Sequence, residues 1–286
     1  MKIMNKKIMP PPWLAFLEIE RYSIGWRMGY GEDYIYKFGK WFDCLPEEEQ
    51  KEYRSLFPEP VTWKGWWGND DSGELLEHGD FFVDAWRPEG KPDYSCEWLE
   101  NEIASGRKHD FCFFWGHRPS KDGSITKSCL SQWWMEDFWA IDSTYLCMEQ
   151  YMMANKALLF GDEEIKNKII ECNEPQQIKE LGRKVQGFDQ DIWDRFKYSI
   201  VLNGNWLKFN QNRDLREYLI STGDSILVEA SPYDNIWGIG FSADSPEAMN
   251  PFKWRGKNLL GFALMEVRDE LRRVNKNEML CDRGMV

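Results

Sequence analysis

Apolar and polar positions along the 286-residue chain follow mostly the 3.6-residue period of a helix, and only in a few places form short runs of β-forming residues. The clearest helical stretch is Tyr145–Phe160, which lacks Gly and Pro and is rich in good helix formers. Gly161 and Asp162 follow it as a C-terminal stop and the start of the next helix. Further helices are predicted over Glu163–Cys172, from Pro175 to Gly182 and Arg183, and from Asp189 through Ile192, Trp193, Phe196 and Ile200. Leu215–Leu219 and Leu259–Val274 read the same way. In the first third, a short helix is expected over Trp13–Tyr22. Another begins at Pro46 with acids in its first turn, and a third is capped by Ser95 and ended by Gly106. Strand-like runs are few: Phe111–Gly116 and Ile226–Glu229. The pattern predicts a mainly α protein with a small β component. Small and polar residues at Ala104–His109 place a boundary there. They divide the chain into an aromatic-rich N-terminal module (1–108), a second unit (109–275) and a tail (276–286).

Composition sharpens this picture. Sixteen Trp imply an extensive aromatic core, with aromatic-walled grooves as a lesser use. A net charge of −12 argues against a general phosphate-binding surface for nucleic acid, though not against a local basic pocket. The seven scattered Cys form no Cys-x-x-Cys pair, and only His78, His109 and His117 are present. Free thiols, no metal and no cofactor are therefore expected. Met1–Met9 is basic, but Pro10–Pro12 interrupts it, and Trp13–Leu17 is too short for a signal sequence. No stretch reaches membrane-spanning length, so a soluble cytoplasmic protein is expected, with no membrane partner.

Several constellations carry possible chemistry. Glu149 and Lys156, seven residues apart on the predicted helix, return to within about 20° of one direction. They share that face with Tyr145, Met152 and Met153, as either a buried ion pair or an active site. Asp234-Asn-Ile-Trp-Gly-Ile-Gly240 is a turn or a loop able to hold a sugar or base. Trp254-Arg-Gly-Lys-Asn258 precedes the last helix, where Asn258 as N-cap beside Arg255 and Lys257 is a plain cap or a phosphate seat. Glycines at 25, 29 and 31 give only a weak phosphate-loop signal. Trp63, Trp66 and Trp67 are candidates for stacking on a base or for packing.

The second half of the chain resembles the NADAR family, the YbiA-like N-glycosidases. The resemblance rests on Phe114-Trp-Gly116, Leu130-Ser-Gln132, Glu149-Gln-Tyr-Met-Met-Ala-Asn-Lys-Ala157, Phe160-Gly-Asp162 and Gly182-Arg183. It continues through Trp193, Lys208-Phe209, Glu229, Asp234, Trp237-Gly-Ile-Gly240, Gly256, Asn258, Leu260-Gly261 and Arg268. The first hundred residues lie outside it. It implies an α+β, YbiA-like helical domain over about 111–274 that hydrolyses an N-glycosidic bond to a ribose phosphate. Family members remove ADP-ribose from modified guanine or break early riboflavin-pathway intermediates. Carried onto this chain, the catalytic acid is Glu149 and the reactive amine Lys156. The expected substrate-binding set is Gly116, Gln132, Trp133, Arg183, Asp234, Trp237, Gly238 and Asn258.

The implied substrate is ADP-ribosylated guanine in nucleic acid, locally bound, so that ADP-ribosylation is reversed. A small ribosylated metabolite is the alternative within enzymes, and a non-catalytic ADP-ribose binding module is the alternative of another class. An antitoxin-like pairing with an ADP-ribosyltransferase belongs to the first reading. Two mechanisms stay open. In one, Lys156 forms a Schiff base with the opened ribose; in the other, Glu149 works as general acid or base while Lys156 orients it.

Overall fold

The computed structural model describes residues 7–68, 76–78, 81–83, 86, 91–140 and 143–286. Residues 1–6 of the basic start, together with Gly73, fall outside these. The N-terminal part contains α1 (Pro12–Ala15), α2 (Tyr30–Asp43), α3 (Glu47–Leu56), the antiparallel strands β1 (Leu76–His78) and β2 (Phe81–Val83), and α4 (Cys96–Ala104). There follow β3 (Phe111–Phe114), the antiparallel pair β4 (Phe138–Ala140) and β5 (Ser143–Tyr145), then α5 (Met148–Leu159), α6 (Glu163–Glu171) and α7 (Pro175–Gly182). The chain continues with α8 (Gln190–Gln211), α9 (Arg213–Ser221), β6 (Ile226–Glu229) and α10 (Leu259–Asn275). Helices dominate, as the periodicity predicts, and the described strands pair only two at a time.

α8 is the central element. From Phe196 to Asn210 almost every side chain is buried, because α5 packs on one side and α10 on another. Gly204 allows the approach of α5: a Cβ there would lie 2.5 Å from the Tyr151 ring and 2.7 Å from the Met148 methyl. β3 runs parallel to β6, with Phe111 opposite Ile226 and Phe114 opposite Glu229, and α10 lies across β6. Both strands end at the same edge of this small sheet, and the loops that leave that edge build the site described below.

Three expectations need correction. Tyr145 belongs to β5, not to the following helix, which starts at Met148. The Gln150 carboxamide accepts the Leu146 N–H at 2.7 Å, and its NH2 group donates to the carbonyls of Ile169, Ile170 and Cys172. It thereby fixes the helix start and closes the end of α6. The helix over Trp13–Tyr22 shrinks to α1, and Phe16 turns extended (φ −131°) as its ring packs among Trp26, Tyr30 and Tyr34. Tertiary aromatic contacts override local propensity there. The glycines at 25 and 31 are not a phosphate cradle, since a Cβ on Gly31 would lie 2.2 Å from the Gly25 carbonyl oxygen. They let two backbone segments touch. No helix among the described residues is long and apolar enough to cross a membrane.

Candidate active site

Glu149 sits in the first turn of α5, where its backbone N–H donates to the Gln132 carbonyl at 2.9 Å. Its side chain is 6% exposed. Burial pushes its carboxyl up to about 7; Lys179 opposes the shift and Asp234 adds to it. Lys156, two turns on, does not pair with Glu149. Its ammonium donates to the Gly182 carbonyl at 2.9 Å and lies 4.3 Å from the centre of the Phe188 ring and 5.8 Å from that of Trp193. Burial lowers its pKa. The buried-ion-pair reading of this helix is thereby excluded, although both side chains face one cavity.

That cavity holds about 230 Å³ and is lined by Gln132, Trp133, Glu149, Lys156, Arg183, Asp234 and Trp237. Met152 and Met153 supply apolar wall, whereas Tyr145, expected on the same face, lines neither this cavity nor the one beside it. A second chamber of about 530 Å³ adjoins it through Trp133, Lys179, Glu229 and Asp234, and Gly116 lies there. Asp234 is fixed by its own turn, its Oδ1 accepting the N–H groups of Ile236 and Trp237, each at 2.8 Å.

Gly238 and Asn258, expected in the ligand site, do not line either chamber. Asn258 is fully buried and left-handed (φ 50°). Its Oδ1 accepts the Glu229 N–H at 3.0 Å and its Nδ2 donates to the Leu227 carbonyl at 2.9 Å. Its role is to fix β6 against the start of α10. Gly238 makes room for backbone, because a Cβ on it would lie 2.9 Å from the Glu229 carbonyl oxygen and 3.1 Å from that of Asp234. The phosphate seat before α10 is likewise occupied by protein: Leu259 and Leu260 N–H donate to the carbonyls of Ile236 and Trp237. Arg255 lies over the Phe241 ring instead of reaching the cavity.

Two site residues were not singled out from sequence. Glu229, the last residue of β6, faces both chambers, and its Oε2 is buried without a hydrogen-bond partner. Burial, then Asp234 and Glu149, push its carboxyl up to about 8. An acid closing the apolar run Ile226–Val228 was the available signal, since ligands gather at the C-terminal ends of parallel strands. Lys179 on α7 lies 5.8 Å from the Trp133 ring centre, and no sequence signal marked it. Gln132 Oε1 is also buried without a partner. The geometry thus gathers three carboxylates, two of them holding protons near neutrality, with three cations and two indole rings.

Residues 113–272, more than half of the chain, match the NADAR domain. The chain belongs to the NADAR family. Among related NADAR proteins, N-glycosidase R617 of Acanthamoeba polyphaga mimivirus is 46% identical over 165 residues, which cover 56% of this chain and 95% of the relative. N-glycosidase Npun_R5314 of Nostoc punctiforme is 34% identical over 46% of this chain and 77% of its own length. An NMR structure of the E. coli protein YbiA aligns with a TM-score of 0.47 and 25% identity, covering 58% of this chain and 86% of YbiA. The NADAR match leaves out the N-terminal hundred residues, yet it contains every residue lining the Glu149 cavity.

Proposed function

We propose that this NADAR protein hydrolyses the C–N bond between ADP-ribose and a nucleobase, ADP-ribosylated guanine in nucleic acid, and so reverses ADP-ribosylation. The relatives are named N-glycosidases, and the chain is an enzyme of that class, a hydrolase of N-glycosyl compounds. The observation carrying the finer reading is the pair of joined chambers. The inner one has the acid and amine; Lys179 and Arg183 give it positive charge suited to a diphosphate. The outer one is rimmed by Trp115 and Tyr233, 57% and 88% exposed, with ring centres 6.4 Å apart. Exposed rings of this kind suit stacking on bases. A small ribosylated metabolite would need only the inner chamber.

Glu149 and Lys156 are the proposed catalytic residues. Protonated Glu149 gives its proton to the ribose ring oxygen as the ring opens, and the Lys156 amine adds to the anomeric carbon. A proton passes from the added amine to the leaving nitrogen through the carboxylate, the base departs, and an imine to Lys156 remains. Water, deprotonated by Glu149, adds to the imine; the carbinolamine collapses to the sugar aldehyde and free amine, and the acid is restored. The absence of a Glu149–Lys156 bond and the lowered Lys156 pKa support this route, because each raises the fraction of neutral amine. On this reading the enzyme works in the cytoplasm, opposite an ADP-ribosyltransferase as an antitoxin does.

The test is release of ADP-ribose from an ADP-ribosylated guanine oligonucleotide, with Glu149→Ala as control. Release by the intact protein alone is expected. Turnover confined to a free ribosylated pyrimidine would replace this reading with the metabolic one, and binding without turnover would make the protein a binding module. Borohydride added during turnover should leave a sugar adduct on Lys156 by mass spectrometry.

A further inference from the structure

Lys208, in the last turn of α8, is fully buried yet lines neither chamber of the Glu149 site. Its ammonium donates to the Cys129 carbonyl at 2.8 Å and to the Ser131 carbonyl at 3.2 Å. Burial lowers its pKa to about 8, so at neutral pH it stays charged and these bonds are charge-assisted. Burying a charge is costly, and what this one holds is a segment without regular structure. A short 3-10 turn ends at Leu130 and β4 starts at Phe138, so residues 131–137 belong to no helix or strand. No ladder of backbone bonds fixes their course.

That segment builds one wall of the site. Gln132 and Trp133 line the inner chamber, and Trp133 lines the outer one as well. The Ser131 carbonyl bound by Lys208 also accepts the Trp134 N–H, and the Ser131 hydroxyl oxygen accepts the Trp133 N–H, both at 3.2 Å. The Gln132 carbonyl in turn accepts the Glu149 N–H at 2.9 Å. The acid has a second anchor, since Gln150 fixes the start of α5 through the Leu146 N–H. Loss of Lys208 therefore falls on the wall before it falls on the acid.

We propose that Lys208 is a positioning residue for substrate binding: through the carbonyls of Cys129 and Ser131 it sets the place of Gln132 and Trp133 in the wall that the substrate meets. This rests on the reading of the Glu149 cavity as the substrate site.

The test uses Lys208→Met in the full chain, which keeps an apolar stem of similar length and removes the donors. Folds tolerate the replacement of a buried charge by an apolar group of like volume. On the ADP-ribosylated guanine oligonucleotide, KM should rise about tenfold while kcat stays within about threefold, because binding groups are misplaced and the acid is not. In a Trp133→Ala background the same change should raise KM far less, since one of the groups that Lys208 positions is gone. Hydrogen exchange read by mass spectrometry needs no substrate: residues 131–137 should exchange faster in Lys208→Met, with α10 unchanged. A fall in kcat at constant KM, the mark of fewer folded molecules, would overturn the proposal. So would full additivity with Trp133→Ala, or unchanged exchange over residues 131–137. If the intact chain does not turn over the oligonucleotide, the functional reading falls, and the exchange result still decides whether Lys208 places this wall. Lys208→Gln, polar and shorter, is read by the same criteria if Lys208→Met does not fold.

Discussion

At the scale of single residues, the two raised carboxyls govern behaviour with pH. Glu149 and Glu229 sit within each other's field, so they titrate as a pair, one proton leaving before the other. Each holds its proton more tightly in the folded chain than in the unfolded one. Between about pH 4.5 and pH 8 the folded state therefore binds more protons, and stability falls as pH rises. The burial of Glu149 alone, from 4.5 to about 7, corresponds to a loss on the order of 3 kcal/mol across that window. Thermal melts at pH 5 and pH 8 should show the higher melting temperature at pH 5, and Glu149→Gln should shrink the difference. The same variant should lower kcat by about 10²–10⁴-fold, the usual worth of a general acid. If kcat stayed within a few-fold of the parent, the acid would have to be Glu229. Glu149 was visible in the sequence through its helical spacing from Lys156. The proton-holding environment was not, because it is made by burial in the folded chain and by Asp234, from a loop about eighty residues away.

At the scale of elements, periodicity located most helices, and packing decided what their exceptional residues do. Gly39 in α2 and Gly204 in α8 are both helical glycines that propensity alone treats as equal faults. A Cβ on Gly39 meets nothing within 4 Å, so Gly39→Ala should stabilise the protein by about 1 kcal/mol. On Gly204 it would strike the buried Tyr151 ring, and overpacking of about 1–3 kcal/mol should outweigh the propensity gain. Urea denaturation of the two variants should give shifts of opposite sign. Two shifts of the same sign would show that α5 does not bear on α8 this closely. Elements missed from sequence include α2 and the pairs β1–β2 and β4–β5, for different reasons. The run Tyr34–Phe42 is aromatic-rich, which by itself fixes no element type. Its buried Tyr34, Phe38 and Phe42 at four-residue spacing form the core face of α2. β4 and β5 are three residues each, too short for alternation to stand out. The Asn258 cap went astray for a related reason. Sequence shows an Asn before a helix, but not that the neighbouring loop already fills the helix N-terminus.

For the whole molecule, the question is whether the residues on either side of the NADAR match are appendages. One buried apolar cluster runs from Ile8 through Trp13, Tyr53 and Phe57 to Val274, without a break at residue 108. α10 ties the parts together through polar bonds as well. Glu270 accepts the Val61 N–H at 2.7 Å, Glu266 accepts the Asp93 N–H at 2.8 Å, and Arg273 donates to the Glu59 carbonyl at 2.7 Å. The stretch read as a tail returns to the N-terminal segment. Cys281 bridges to Ile8, the Asp282 N–H donates to the Ile8 carbonyl at 2.7 Å, and Arg283 donates to the Leu14 carbonyl. Glu278 also meets Arg216 at 3.2 Å. Removing residues 278–286 strips these bonds and uncovers Ile8, which is 2% exposed in the intact chain. At about 1 kcal/mol per hydrogen bond the loss is roughly 3 kcal/mol. In a chain of this length that lowers the melting temperature by roughly 5–10 °C. Calorimetry should show this shift as a single transition, because the parts share one core and melt together. A melting temperature that does not move would make the last residues an appendage after all. A second, low-temperature transition would show that the N-terminal part unfolds on its own.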